Sequence, residues 1–394
     1  MDIGLSLSHL KHALQSSNVD NATKDFLPVS NVIDMISMKI DQKELIGNIG
    51  KAAIHQSKVA VVIMSGGQGT RLGFKGPKGM YNLGMPSQKT IFQIHIEKII
   101  RMRTLCTNMA SATEGITITS PPPSIPIYIM TSNLNHQIIV DFFKDHAYFG
   151  YPSEDIIFFE QGIEPSFTLD GKIIIESEST LSLAPDGNGG IYRALLVAGC
   201  IDDMTLRGVE HLHIYGIDNV LTKAIDPYFI GACIRDEVDV GNKVVWRTDK
   251  SEKVGVTAEL DGRIHVLEYS EIPRHLAESC DDDTGKLLFG AANICNHYIS
   301  VRFLKEAILP NLSNTYHIAK KKIPYFDAAS KRTIDPTTIN GMKLELFIFD
   351  VFPLAKRWVV VEVDRQDEFA PVKNAPGSEQ VSGTSDSDSI SSHL

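Results

Sequence analysis

The chain predicts an α/β fold with an open, mostly parallel mixed sheet, and three features carry that expectation. Apolar runs of strand length recur, starting with Val59–Met64; uninterrupted runs of this kind mark strands buried on both faces. Segments of helical periodicity separate them, and strand–helix alternation means a parallel sheet with helices packed on it. The densest glycine loops follow those runs, and open α/β sheets bind ligands at the carboxyl ends of their strands.

Taken in order, residues 1–57 place Leu5, Leu7, Leu10 and Leu14, then Val32, Ile33, Met35, Ile36 and Ile40, at mixed helical spacing. They predict an N-terminal helical extension, a lid or support for a main domain spanning 58–375. After Val59–Met64, a helix is expected from about Pro86 to Arg103, with Ser87 or Thr90 as its N-cap. Residues 105–125, rich in Ser and Thr and containing Pro121–Pro123, read as a surface loop. Ile127–Met130 and Ile156–Phe159 are the next strands, with a helix from about 135 to 144 between them. A helix from Tyr192 to about Ile201, a strand at His211–Ile217 and further strands at 243–247, 254–256, 264–271, 287–293 and 358–363 complete the domain. Leu346–Phe352 alternates Phe with other residues, so one face presents aromatics, either to the core or to a site. Residues 376–394 are Gly, Ser, Asp and Thr for the most part and predict a disordered tail.

Composition narrows the function. With 43% hydrophobic and 22% charged residues the chain can build a sizeable core. A formal charge of −10 argues against a nucleic-acid partner, which needs a basic face. It leaves room for a phosphorylated small molecule, since a few cations focused in one cleft suffice. Five scattered cysteines without a C-x-x-C pair point to reduced thiols rather than a disulfide framework or a zinc site. Neither a secretory signal nor a membrane span is legible, so a cytoplasmic protein with no membrane partner is expected; the oligomeric state stays open.

Ser65-Gly-Gly-Gln-Gly-Thr-Arg-Leu-Gly73, with Lys75, Lys78 and Gly79 downstream, is a cationic glycine loop after a buried strand. Glycines let backbone N–H groups turn toward anionic oxygens, so this is a phosphate cradle. It is not a Walker loop, and the dinucleotide spacing fails because Leu72 stands where the third glycine would fall. The loop Ala184–Arg193 is a second glycine cluster that opens a helix. Asp218, at the end of a strand, suits either Mg²⁺ or a plain turn. Glu268 and Asn293 are residue types that read sugar hydroxyls and acyl groups, and equally common structural residues.

Together, Gly66–Gly73, Pro77–Tyr81, Pro86–Thr90, Gln161–Gly162, Ala184–Arg193, Asp218–Asn219, Glu268–Glu271 and Glu368–Asn374 resemble the eukaryotic UDP-N-acetylglucosamine pyrophosphorylase family. The resemblance implies a glycosyltransferase-A-like nucleotidyltransferase domain. It also implies formation of UDP-N-acetylglucosamine and pyrophosphate from UTP and N-acetylglucosamine 1-phosphate, with Mg²⁺. Carried over, Gly66, Gly67, Gln161, Pro185, Gly187, Asn188 and Asp218 would bind the nucleotide, and Asp218 also the metal. Gly255, Glu268, Asn293, Phe347 and Phe349 would form the sugar pocket, and Arg71, Lys78 and Lys373 would act on the phosphates. The resemblance also implies a small C-terminal domain beyond Asn374, where this sequence is expected to hold only the disordered tail. Two other readings follow: a pyrophosphorylase for another UDP-sugar, or an inactive sugar-nucleotide-binding regulator. Retention of Arg71, Lys78, Asp218 and Lys373 favours the enzyme.

Overall fold

The computed structural model describes residues 2–16, 24–114, 122–312, 315–374 and 385–386. Among them, eleven strands form one sheet: β1 (Leu27–Pro28), β2 (Val32–Asp34), β3 (Val59–Met64), β4 (Ile127–Thr131), β5 (Ile156–Glu160), β6 (His211–Gly216), β7 (Val240–Trp246), β8 (Val256–Leu260), β9 (Arg263–Leu267), β10 (Ala291–Ser300) and β11 (Trp358–Glu362). The order is β2-β11-β7-β10-β6-β3-β4-β5, parallel throughout except at β10, which runs against both neighbours. β8 joins the start of β10 and carries β9 and β1 beside it. Since β10 is reversed, its first residues lie at the same edge as the carboxyl ends of β3, β4, β5 and β6.

Residues of β3 alternate between two cores, which is why the whole strand is apolar. Ala60, Val62 and Met64 pack with α5 (Ile191–Val197) and α6 (Cys200–Leu206). Val59, Val61 and Ile63 face α3 (Ile91–Glu114) and α4 (His136–Asp145) on the other side. Helix α2 (Ile40–His55) crosses α7 (Pro227–Arg235) at backbone contact: a Cβ on Gly50 would lie 1.9 Å from the Pro227 carbonyl oxygen, and one on Gly231 equally near that of Ile46. A small sheet of Phe167–Thr168, Gly341–Glu345 and His317–Lys321 is covered by Leu10 and Ala13 of α1 (Ile3–Ser16). No helix among the described residues is long and apolar enough to cross a membrane.

Several local expectations are corrected. Residues 32–34 are not helical; β2 extends the main sheet by pairing with β11, a tertiary partner more than 300 residues away. Helix α3 starts later, at Ile91, where the Gln93 N–H approaches Thr90 Oγ1 at 3.4 Å, and continues into the expected 105–125 loop as far as Glu114. The helix after Gly190 breaks into α5 and α6 at Gly199, whose φ of 71° is left-handed. Residues 348–354, where Phe alternates with other residues, form a 3₁₀ turn. The tail falls outside the described residues except for Ser385–Asp386, which pair with Val372–Asn374.

Lys243 of β7 has no exposed surface, and its Nζ lies 2.6 Å from Asp226 Oδ2 and 2.7 Å from Glu368 Oε2. Burial opposes its charge, but the two carboxylates more than compensate and hold its pKa above the usual lysine value. Lys243→Met keeps the volume, leaves Asp226 without its buried cation and leaves Glu368 with the outer Lys223 alone. Such a loss costs about 3–5 kcal/mol, so denaturant unfolding is expected to show a clear drop in midpoint at neutral pH.

Candidate functional site

Four parallel strands end in one row. In register, Met64 stands beside Gly216 and Met130, and Thr131 beside Glu160. The chain leaving each strand forms the floor of a cleft of about 610 Å³. Gly66 and Gly67 follow β3, Gln161 follows β5, and Asp218 and Asn219 follow β6.

The glycine loop is fastened from outside the cleft. Asn135 Nδ2 donates to the Gly66 carbonyl at 3.0 Å, and Asn135 Oδ1 accepts from Gln68 Nε2 at 2.5 Å. The Gly69 N–H donates to the Gly76 carbonyl at 2.8 Å and the Lys78 N–H to the Gly67 carbonyl at 3.1 Å. The loop therefore doubles back and returns Lys78 to the end of β6, with its Nζ 4.0 Å from Asp218 Oδ2. On the cleft side a Cβ at Gly67 would meet nothing within 4 Å, which leaves its backbone open to a ligand.

The 185–190 turn lies against 345–347. Gly187 has φ 93°, and a Cβ there would stand 2.4 Å from the Leu346 carbonyl oxygen; only glycine fits. Asn188 Oδ1 accepts the Ile348 N–H at 3.0 Å, which locks one turn to the other. Beneath them Asp186 is buried and pushed up to about 6, by burial first and by Glu164 next.

The other half of the cleft comes from the β8–β10 corner. The Asn293 N–H donates to the Gly255 carbonyl at 2.8 Å, and Asn293 Oδ1 accepts from the Cys295 N–H at 3.1 Å. A Cβ on Gly255 would lie 3.2 Å from Glu268 Oε1, so the carboxylate closes directly over that glycine. Phe347 and Phe349 lie with ring centroids 5.1 Å apart on the opposite wall. Although 348–354 is a turn, both rings still line the cleft.

Charge is concentrated where the halves meet. Burial pushes the Asp218 carboxyl up, but the Lys78 and Lys373 ammonium groups outweigh it and leave its pKa below the ordinary value. The Val372 N–H donates to the Asp218 carbonyl at 2.9 Å, so the 372–374 strand brings Lys373 to the same point. Burial and Glu271 raise the Glu268 carboxyl. Among the described residues there is no cluster of three metal-ligating side chains. A single carboxylate beside open space for phosphate oxygens still suits Mg²⁺, which keeps waters and takes ligands from substrate.

Gly66, Gly67, Gln161, Pro185, Gly187, Asn188, Asp218, Gly255, Glu268, Asn293, Phe347, Phe349 and Lys373 all line this one cleft. Lys78 reaches it through Asp218. Arg71 does not: it is exposed on the Thr70–Leu72 turn. The sequence reading missed Lys253, Lys343, Glu345 and Cys295, which also line the cleft. Lys343 and Glu345 alternate on a strand and Lys253 sits in a polar loop, patterns shared with ordinary surface residues.

The family model for UTP–glucose-1-phosphate uridylyltransferase matches residues 6–379. The chain is 46% identical over 325 residues to a Xenopus tropicalis UDP-N-acetylhexosamine pyrophosphorylase-like protein 1, covering 82% of this chain and 61% of that protein. It is 42% identical over 375 residues to the Saccharomyces cerevisiae UDP-N-acetylglucosamine pyrophosphorylase, covering 94% of this chain and 76% of the yeast protein. The structure of the Trypanosoma brucei uridine diphosphate N-acetylglucosamine pyrophosphorylase in complex with inhibitor superposes with a TM-score of 0.80 at 30% identity, over 96% of this chain and 74% of that one. This chain thus spans between three fifths and three quarters of the length of these relatives, and its fold is that of a nucleotidyltransferase. On the matched model and on this identity along almost the whole sequence, the chain belongs to the UTP–glucose-1-phosphate uridylyltransferase family.

Proposed function

We propose that the protein is a uridylyltransferase that forms UDP-N-acetylglucosamine and pyrophosphate from UTP and N-acetylglucosamine 1-phosphate. The observation that carries this reading is the position of Asp218, Lys78 and Lys373 at the seam between a glycine-walled half and a half walled by Glu268, Asn293 and Phe347. A nucleotide on the glycine side and a sugar phosphate on the other would present their phosphates to the same cations.

In this reading Gln161 and the Pro185–Gly187 turn hold the uracil edge, and Gly66 and Gly67 give backbone N–H groups to the nucleotide. Asn188 contacts the sugar nucleotide with its remaining amide hydrogens. A sugar 1-phosphate is anionic near neutral pH and needs no strong general base. One of its oxygens bonds to the α-phosphorus as the bond to the departing pyrophosphate oxygen breaks, in line. Positioning and charge neutralisation supply the acceleration. Lys78 and Lys373 face that phosphorus, and Arg71, which lies outside the cleft, would meet the outer phosphates only if its exposed turn moves inward. Asp218 would hold Mg²⁺, which when bound spreads the charge of the leaving pyrophosphate. Glu268 accepts from sugar hydroxyls and Asn293 reads the acetamide. Five cysteines without a disulfide support a cytoplasmic setting.

The direct test is pyrophosphate release from UTP and Mg²⁺ with a panel of sugar 1-phosphates; no release with any sugar overturns the reading. Removing one preorganised charge donor typically costs about 10²–10³ in turnover, so Lys78→Ala is expected to lose that much with its unfolding midpoint unchanged. Near-normal turnover removes Lys78 from the mechanism. Asn293→Ala is expected to lower kcat/KM for N-acetylglucosamine 1-phosphate at least about ten-fold more than for glucose 1-phosphate, the scale of one hydrogen bond lost. Equal losses would show that Asn293 does not read the acetamide.

A further inference from the structure

The sugar half of the cleft is bounded by two turns remote in sequence, 268–271 and 347–350, and His317 stands between them. Its Nδ1 lies 3.3 Å from Glu271 Oε1 and its Nε2 3.0 Å from Asp350 Oδ1. The ring also packs on Phe347, with centroids 4.4 Å apart. Each partner is one step from a cleft wall. Asp350 accepts the Phe347 N–H on its other oxygen at 2.8 Å, and the Glu271 N–H donates to the Glu268 carbonyl at 2.8 Å. A neutral imidazole has one N–H and cannot donate to both carboxylates; the imidazolium can. Burial opposes that charge, but the bonds to Asp350 and Glu271 prevail and raise its pKa to about 10.

We infer that His317 is a positioning residue for the sugar-phosphate substrate: as a doubly bonded imidazolium it fixes the distance between the two turns, and with it the placing of Glu268 and the Phe347 ring. The inference rests on the uridylyltransferase reading above. The strand that starts at His317 pairs with Gly341–Glu345, so the same clasp sets the strand bearing Lys343 and Glu345. The glycine loop on the nucleotide side is fastened at Asn135, independently of His317, and Asn188 still bonds the Ile348 N–H of the clasped turn when the imidazolium is lost. The effect of losing the clasp therefore falls chiefly on the sugar phosphate.

It also has an electrostatic signature. Glu268 faces Glu271 and Asp350, which with burial push its carboxyl up, and His317 and Lys373, which pull it down. Without the imidazolium, Lys373 alone opposes the two neighbouring carboxylates, so Glu268 takes up its proton at higher pH. If it must be ionised to accept from sugar hydroxyls, the acid limb of kcat/KM for the sugar phosphate moves upward.

Initial rates for wild type, His317→Gln and His317→Arg, varying each substrate in turn from pH 5 to 9, test this. For His317→Gln the expected result is a rise of about ten-fold or more in KM for N-acetylglucosamine 1-phosphate, with KM for UTP within about two-fold, the pattern of lost ground-state binding. The acid limb for the sugar phosphate moves up, and His317→Arg, a cation with forked donors, regains part of the KM. A merely structural histidine would instead raise both KM values and lower the unfolding midpoint together. That outcome, or an unchanged sugar-phosphate KM, overturns the inference. If His317→Gln does not fold, Glu271→Ala removes the acceptor on the other side of the clasp and must show the same selectivity in KM. Wild type serves as the control: turnover with unselective variants sinks the clasp alone, whereas no turnover with any sugar sinks the uridylyltransferase reading and the clasp with it.

Discussion

The buried ammonium of Lys243 ties the sheet to the site. It neutralises Asp226, whose carboxylate also caps α7 by accepting the Tyr228 N–H at 3.0 Å, and Glu368, which Lys223 contacts from outside at 3.0 Å. Glu368 opens the segment that ends in Lys373. Asn219 clamps that segment on both sides, donating to the Glu368 carbonyl at 2.7 Å and accepting from the Ala370 N–H at 3.0 Å. From β7 through Glu368 to Asn219 the connections are hydrogen bonds between buried groups, and the chain from Ala370 carries them on to Lys373. Breaking one leaves another unsatisfied, and that penalty exceeds the net value of any single bond. Placement of Lys373 is therefore inherited from the core.

This explains which parts of the site were legible. The glycine loop and Asp218 announce themselves because their placing depends on local rules: a buried strand, its carboxyl end, then small residues and charges. Fold class was legible for the same reason, since Val59–Met64 and its companions must be buried on both faces. Residues 32–36 misled because their conformation is decided by a distant partner, and the conformation of 348–354 carries no clear local signal. Val32–Asp34 becomes a strand only where β11 offers an edge, and Phe347 is turned by Asp350, which caps it while holding His317. Lys253 and Lys343 carry no local mark at all; only the folded chain brings them to the cleft.

The two halves of the cleft are built from different materials. On the proposed nucleotide side the wall is backbone at close approach, and at Gly187 and Gly189 a Cβ would fall 2.4–2.5 Å from backbone carbonyl oxygens of Leu346 and Phe347. Such a wall is specified by the absence of side chains, and it tolerates little change. On the proposed sugar side the wall is Glu268, Asn293, Phe347 and Phe349, side chains rather than bare backbone.

The asymmetry follows from what the two ligands offer. A nucleotide's phosphates and base edge are constant, so fixed N–H groups at strand ends match them with no loss of side-chain entropy. Sugars differ from one another by single hydroxyl or acyl groups, and discrimination of that size requires a polar side chain left unpaired by the wrong ligand. In the proposed reading, a fold that keeps Lys78, Asp218 and Lys373 on the rigid seam can therefore vary its acceptor wall while the phosphate chemistry stays in place. If His317 acts as inferred, that wall is also the half braced from behind by an imidazolium, so its geometry depends on electrostatics where the nucleotide half depends on sterics.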